Sequence, residues 1–127
     1  MGEKLERFKA FRSAMNEKLL GADNLQIKRF FNLDTQAYSE GALSTKTKEL
    51  LGLVASGVLR CDDCITYHLI QCAENGVSRR EFLEAFNIVL IVGGSITIPH
   101  IRRAIETLEE IEAEGSEGVV VHEEPVS

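Results

Sequence analysis

Two cysteines three positions apart, Cys61 and Cys64, are followed four positions later by His68, and Glu49 stands twelve positions before the first of them. Within a helical turn, residues three apart have Cα atoms about 5–6 Å from each other, a separation that a disulfide accepts. Such a pair can cycle between dithiol and disulfide with little backbone movement. A thiol at the start of a helix also meets the positive end of the helix dipole, which favours the nucleophilic thiolate. His68 is one turn beyond Cys64, about 6 Å along a helix axis, so its imidazole can take the thiol proton directly or through one water. Glu49, on a preceding helix, would orient and polarise that imidazole as the third member of a relay. On a straight helix Cys61, Cys64, His68 and Cys72 fall within an arc of about 80°. Ile65 and Leu69 flank that arc, so the stripe is expected to face protein.

Each residue also has a plainer reading. The Cys-x-x-Cys pair can be two buried, inert thiols, His68 a satisfied core histidine, and Glu49 a solvated charge. A zinc ion would need four ligands at about 2.0–2.3 Å. Cys61 and Cys72 are separated by about 16 Å of straight helix and cannot share a metal. Cys61, Cys64 and His68 could do so only with a ligand from elsewhere, and the chain has no second Cys/His cluster. No metal is expected. Cys72 reads as a small buried hydrophobe, His100 as a helix-surface or capping residue with a place near the site as the alternative, and His122 as solvated.

The elements that must position these groups are helices. Nearly every segment has apolar residues at three- and four-residue spacing, and none alternates as a strand does. The spacing predicts helices over about Glu3–Leu20, ended by Gly21, and about Asp23–Glu40, followed by Gly41. A third spans about Thr45–Leu59, with Ser44 as N-cap. A fourth follows a break at Arg60–Asp62 and ends near Asn75–Gly76. Ser78-Arg79-Arg80-Glu81 matches a capping box and opens a fifth. That helix is apolar nearly all round from Ala85 to Val92 and must be covered on every side, which points to oligomerisation. Gly93-Gly94 breaks the pattern before a sixth helix, about Ser95–Ala113, with Pro99 in its first turn. Residues 1–114 thus read as one all-α domain and residues 115–127 as a mobile acidic tail.

The chain of 127 residues is long enough for one core without disulfide staples. Its net charge of −6 has the wrong sign for general nucleic-acid binding. The longest apolar run, Ile88–Ile98, is about half of the ~20 residues needed to cross a bilayer. The charged N-terminus lacks the apolar stretch of a secretory signal, so a cytoplasmic protein is expected. In that compartment three cysteines are not a disulfide framework. The pair Gly93-Gly94 lacks the strand–turn–helix context of a dinucleotide fingerprint, and no flavin, nicotinamide or haem cofactor is expected.

The run Leu43-Ser44-x-Lys46-x-Lys48-Glu49-Leu50, with Cys61, Cys64 and His68 at the stated spacing, resembles the AhpD / carboxymuconolactone decarboxylase family over about residues 24–113. The resemblance implies an AhpD-like helical bundle assembling as a trimer or hexamer, with thiol peroxidase or disulfide-reductase activity. It implies Cys64 as attacking thiolate, His68 as its base, Glu49 as the end of the proton relay and Cys61 as the partner that closes the disulfide. A small hydroperoxide would be the substrate, and a lipoyl group or a redox protein the dithiol reductant. Several family members have His immediately before the second cysteine where this chain has Asp63, and Asp62 and Asp63 add negative charge that opposes thiolate formation. Two alternatives stand beside this reading: lactone decarboxylation, which needs an acid/base group and an anion pocket rather than a cysteine pair, and a non-catalytic helical oligomer.

Overall fold

The computed structural model describes residues 2–116, which form six α-helices and one short 3-10 turn. The helices are α1 (Glu3–Leu20), α2 (Leu25–Ala37), α3 (Thr45–Leu59), α4 (Asp62–Glu74), α5 (Arg79–Gly93) and α6 (Ile98–Ser116), with the 3-10 turn at Ser95–Thr97. Among the described residues there is no strand. Gly115 and Ser116, expected in the tail, continue α6. The rest of the expected tail, His122 included, lies outside the described residues.

Helices α3, α4, α5 and α6 enclose the core, with Leu53, Ile65, Leu69, Cys72, Phe82, Phe86 and Leu108 at its centre. The approach of α3 to α5 is close because Gly57 faces Val89. A Cβ at position 57 would lie 2.8 Å from both Val89 methyl carbons. The fifth helix opens on the expected capping box: the Ser78 side chain accepts from the Glu81 amide, and Glu81 Oε1 accepts from the Ser78 amide. Its inner face is Phe82, Ala85, Phe86 and Val89, while Ile88, Ile91 and Val92 point outward.

Helices α1 and α2 form an arm beside this bundle. Helix α1 lies along α6, where the Glu110 carboxylate accepts from the Leu5 amide at 2.9 Å and Lys4 pairs with Glu106 at 3.1 Å. Helix α2 buries no residue in this chain. It is shorter than the predicted Asp23–Glu40 for a local reason. Asp23 sits in the left-handed region at φ 57°, and the Asn24 side chain caps the helix by accepting from the Ile27 amide at 3.0 Å. Tyr38 then begins the turn into α3, its carbonyl accepting from Thr45 Oγ1 at 2.8 Å.

Candidate functional site

Position 61 is reached through the turn that ends α3. Arg60 adopts φ 61°, ψ 43°, a left-handed conformation usually left to glycine. Its amide bonds to the Gly57 carbonyl, and the Cys61 amide bonds to the Ser56 carbonyl, each at 3.1 Å. This six-to-one and five-to-two pairing is a Schellman motif, and it hands Cys61 directly to the next helix. Cys61 is extended (φ −104°, ψ 99°) and is the N-cap of α4, its Sγ accepting from the Cys64 amide at 3.3 Å. The helical arc expected for four residues therefore holds for Cys64, His68 and Cys72 only, because Cys61 stands one step outside the helix. The stripe is also not uniformly buried. Cys64 is exposed, whereas His68 and Cys72 are buried.

Cys61 and Cys64 are joined as a disulfide with Cα atoms 5.3 Å apart, inside the roughly 4.4–6.8 Å that such bonds span. The first turn of α4 carries Asp62 and Asp63. The Asp62 carboxylate is held by α6. His100 Nδ1 lies 2.7 Å from one of its oxygens, and Arg103 Nε donates to the other at 2.8 Å. Partial burial alone would raise the Asp62 carboxyl, but hydrogen bonds from His100 and Arg103 and the Arg103 charge outweigh it and hold the carboxyl below its ordinary range. The negative charge expected to oppose a thiolate is thus compensated at position 62. His100 takes neither of the two roles read from sequence in pure form: it reaches the site region through Asp62.

Deeper in, His68 Nδ1 is 2.8 Å from Glu49 Oε1. Both groups are nearly out of water, with relative exposures of 8% and 3%. Glu49 is brought from the second turn of α3 and His68 from the second turn of α4, so the pair exists only because those two helices pack face to face. With Nδ1–H donating to the carboxylate, the basic nitrogen is Nε2. The Tyr38 hydroxyl stands 3.5 Å from that nitrogen, and the Tyr67 ring meets the imidazole edge-on at 5.1 Å between centroids. Both phenols are pushed above the ordinary tyrosine range, first by burial and then by the Glu49 charge. Neither tyrosine was singled out from the sequence, since Tyr38 is thirty positions from His68 and no spacing rule connects them.

Cys72 is fully buried, and burial followed by Glu49 pushes its thiol up to about 12, which keeps it protonated and inert. Among the described residues, no group of three or more His, Cys, Asp or Glu side chains is gathered closely enough to hold a metal ion.

A cavity of about 720 Å³ opens between the α1–α2 arm and the α4–α6 face. Phe8, Phe11 and Met15 of α1 and Phe30 and Phe31 of α2 make its apolar side, and Cys64, Tyr67 and His68 its opposite side. Arg12 of α1 lies over the Tyr67 ring, 4.1 Å from its centroid. Cys64 lines the cavity and Cys61 does not.

A sequence profile of the carboxymuconolactone decarboxylase family matches residues 27–107. The chain is 54% identical to the TM1620 protein of Thermotoga maritima, with a TM-score of 0.86 over 89% of this chain and 99% of that one. A second crystal structure of TM1620 gives a TM-score of 0.81 over 87% and 93%; that protein belongs to the same family and has a suggested involvement in antioxidative response. The family protein lpg0406 of Legionella pneumophila, solved in its apo form, is 25% identical with a TM-score of 0.79 over 85% of this chain and 96% of that one. An uncharacterized protein of the cox locus of Paracoccus denitrificans is 25% identical over 83 residues, which are 65% of this chain and 75% of its own. A profile match across α2 to α6, on a helical fold shared nearly end to end with solved members, makes this chain a member of the carboxymuconolactone decarboxylase family.

Proposed function

We propose that the protein is a thiol-dependent peroxidase, or disulfide oxidoreductase, working through the Cys61–Cys64 pair. One observation carries the reading: a disulfide at the mouth of an apolar cavity, one helical turn from a buried His68–Glu49 pair at 2.8 Å. In the reduced protein His68 accepts the Cys64 proton, and Glu49 holds the imidazolium that forms. The Cys64 thiolate attacks the outer oxygen of a hydroperoxide. The O–O bond breaks, the alcohol leaves with a proton, and Cys64 becomes a sulfenic acid. The Cys61 thiol then attacks the Cys64 sulfur and expels water, restoring the disulfide. A dithiol, from a lipoyl group or a redox protein, reduces it by exchange and leaves as its own disulfide. Cys64 takes the attacking role because it faces the cavity and is exposed, whereas Cys61 caps the helix behind it.

The same reading includes a homo-oligomer, a trimer or a hexamer. The support is the apolar surface of this chain: Leu59, Ile91, Val92 and Ile96 on the α3–α5 side and Leu25, Phe30 and Leu33 on α2. Large apolar side chains left this exposed on α2 and α5 are the kind of surface that subunit contacts cover.

The deciding experiment is stopped-flow consumption of tert-butyl hydroperoxide by the pre-reduced protein, with free thiols counted before and after. Two of the three thiols should be lost, Cys72 remaining. Cys64→Ser should abolish the reaction, and His68→Ala should slow it by about 10²–10⁴-fold, the usual worth of a general base. Thiols that stay reduced in the wild type would overturn the proposal.

A further inference from the structure

The nitrogen of His68 that does not face Glu49 has a partner of its own. The Tyr38 hydroxyl lies 3.5 Å from Nε2, and the two rings are 5.5 Å apart between centroids and tilted by 41°. This is long for a hydrogen bond, and what keeps the groups face to face is a missing side chain. A Cβ at Gly52 of α3 would lie 2.6 Å from His68 Cε1, 2.8 Å from Nε2 and 2.8 Å from the Tyr38 hydroxyl oxygen. Gly52 is therefore the floor on which both groups rest, and a side chain there would have to displace one of them. Tyr38 itself is held from behind. Its carbonyl accepts from Thr45 Oγ1 at 2.8 Å, and Lys48 Nζ donates to the neighbouring Ser39 carbonyl at 2.7 Å. Its hydroxyl keeps its proton, because burial and then Glu49 raise it above the ordinary tyrosine range.

We propose that Tyr38 is a positioning residue for His68: its hydroxyl donates to Nε2 and, with Glu49 on Nδ1 and Gly52 beneath the ring, fixes the imidazole as the Nδ1–H tautomer, holding the one basic lone pair on Nε2 in place until a thiol proton displaces the hydroxyl from it. The inference rests on the proposed role of His68 as the base of the dithiol. A buried imidazole held at one nitrogen can still rotate or exchange tautomers, and only one tautomer keeps a lone pair where a thiol proton can be taken. A phenol that cannot ionise in the working range supplies the second point of attachment. It touches neither substrate nor sulfur in this arrangement, and acts through the imidazole.

Other charged and titratable groups near the ring are few. Glu49 faces it from α3, and Tyr67 from α4. Arg12 of α1 reaches it only through Tyr67, and Asp34 of α2 acts on the two tyrosines.

The test is side-chain ¹⁵N NMR of His68 in the full-length disulfide form, for wild type, Tyr38→Phe and Gly52→Ala, with the pH dependence of peroxide-driven thiol loss measured on the same proteins. Wild type should show Nδ1 protonated and Nε2 unprotonated. Tyr38→Phe should move the Nε2 resonance toward that of an unbonded nitrogen or mix the tautomers. The same variant should slow thiol oxidation about 10-fold, as the productive tautomer falls to about a tenth of the population. Its acid limb should shift to higher pH, because only unprotonated Nε2 accepts the bond and its loss favours the imidazolium. Gly52→Ala should displace the Nε2 resonance in the same way. Protonated Nε2 in wild type, or a Tyr38→Phe variant with unchanged resonances and an unchanged pH profile, would overturn the inference. A wild type with the expected resonances but no thiol loss would sink the peroxidase reading and leave the tautomer assignment supported by the resonances and by both variants.

Discussion

Asp62 directly follows Cys61, and its carboxylate would be a poor neighbour for a thiolate if it stood alone. The His100 and Arg103 side chains take up both of its oxygens. Since its carboxyl lies below the ordinary value of 3.8 in the folded chain, the linked stabilisation is fully present above that value. It is lost as the pH falls through the depressed folded-state value. The carboxylate is 43% exposed, so solvent screening limits the contribution to under about 1 kcal/mol. Denaturant unfolding of Asp62→Asn beside the wild type should show a small deficit at pH 7 that closes as the pH falls below the ordinary carboxylate range. A deficit that persists undiminished throughout that acid range would show that the pairing is not the source.

Among the elements, the junction between α3 and α4 decides the geometry of the site. The left-handed Arg60 lets one helix stop and the next begin with a single residue between, and that residue is Cys61. Glycine does the same work at the end of α4, where Gly76 has φ 82° and the Val77 amide returns to the Cys72 carbonyl at 3.0 Å. The contact of α3 with α5 is close at Gly57. By helix propensity alone Gly57→Ala would gain about 1 kcal/mol. The new methyl would instead meet both Val89 methyls, and Val89 is buried and branched at Cβ, so it cannot swing aside. Overpacking of this kind costs about 1–3 kcal/mol, and Gly57→Ala should therefore be less stable in chemical denaturation. A gain in stability would mean that the helices can separate without penalty.

On the scale of the whole molecule, the chain divides into a closed four-helix core and an arm that buries little of its own surface. The cavity beside Cys64 lies between the two, so the site is bounded on one side by the least anchored helices. The outward residues of α5 extend the apolar surface, with Ile91 83% and Val92 66% exposed. For the proposed trimer or hexamer, light scattering coupled to gel filtration should give three or six chain masses. Ile91→Glu should reduce that mass, because a charge buried at an interface without a partner is costly. A wild-type mass of one chain would refute the assembly while leaving the dithiol chemistry open.

The all-helical class, the capping box at Ser78 and the single-turn spacing of Cys61, Cys64 and His68 were legible without coordinates. They follow from local rules: helical periodicity, amide donors needing caps, and the fixed rise of a helix. The family resemblance was legible for the same reason, because its residues lie in one continuous stretch from Leu43 to His68. Three matters were decided only by tertiary packing. The α3–α4 contact brings Glu49 onto His68, the turn from α2 into α3 brings Tyr38 to Nε2 over Gly52, and the α4–α6 contact gives Asp62 its partners. Each joins residues on different elements, where no periodicity relates one side chain to another. The break read at Arg60–Asp62 contains Cys61, and only the arc drawn for the cysteine stripe counted it as helical. A helix start is set by which group caps the free amides, and here the cysteine sulfur does so.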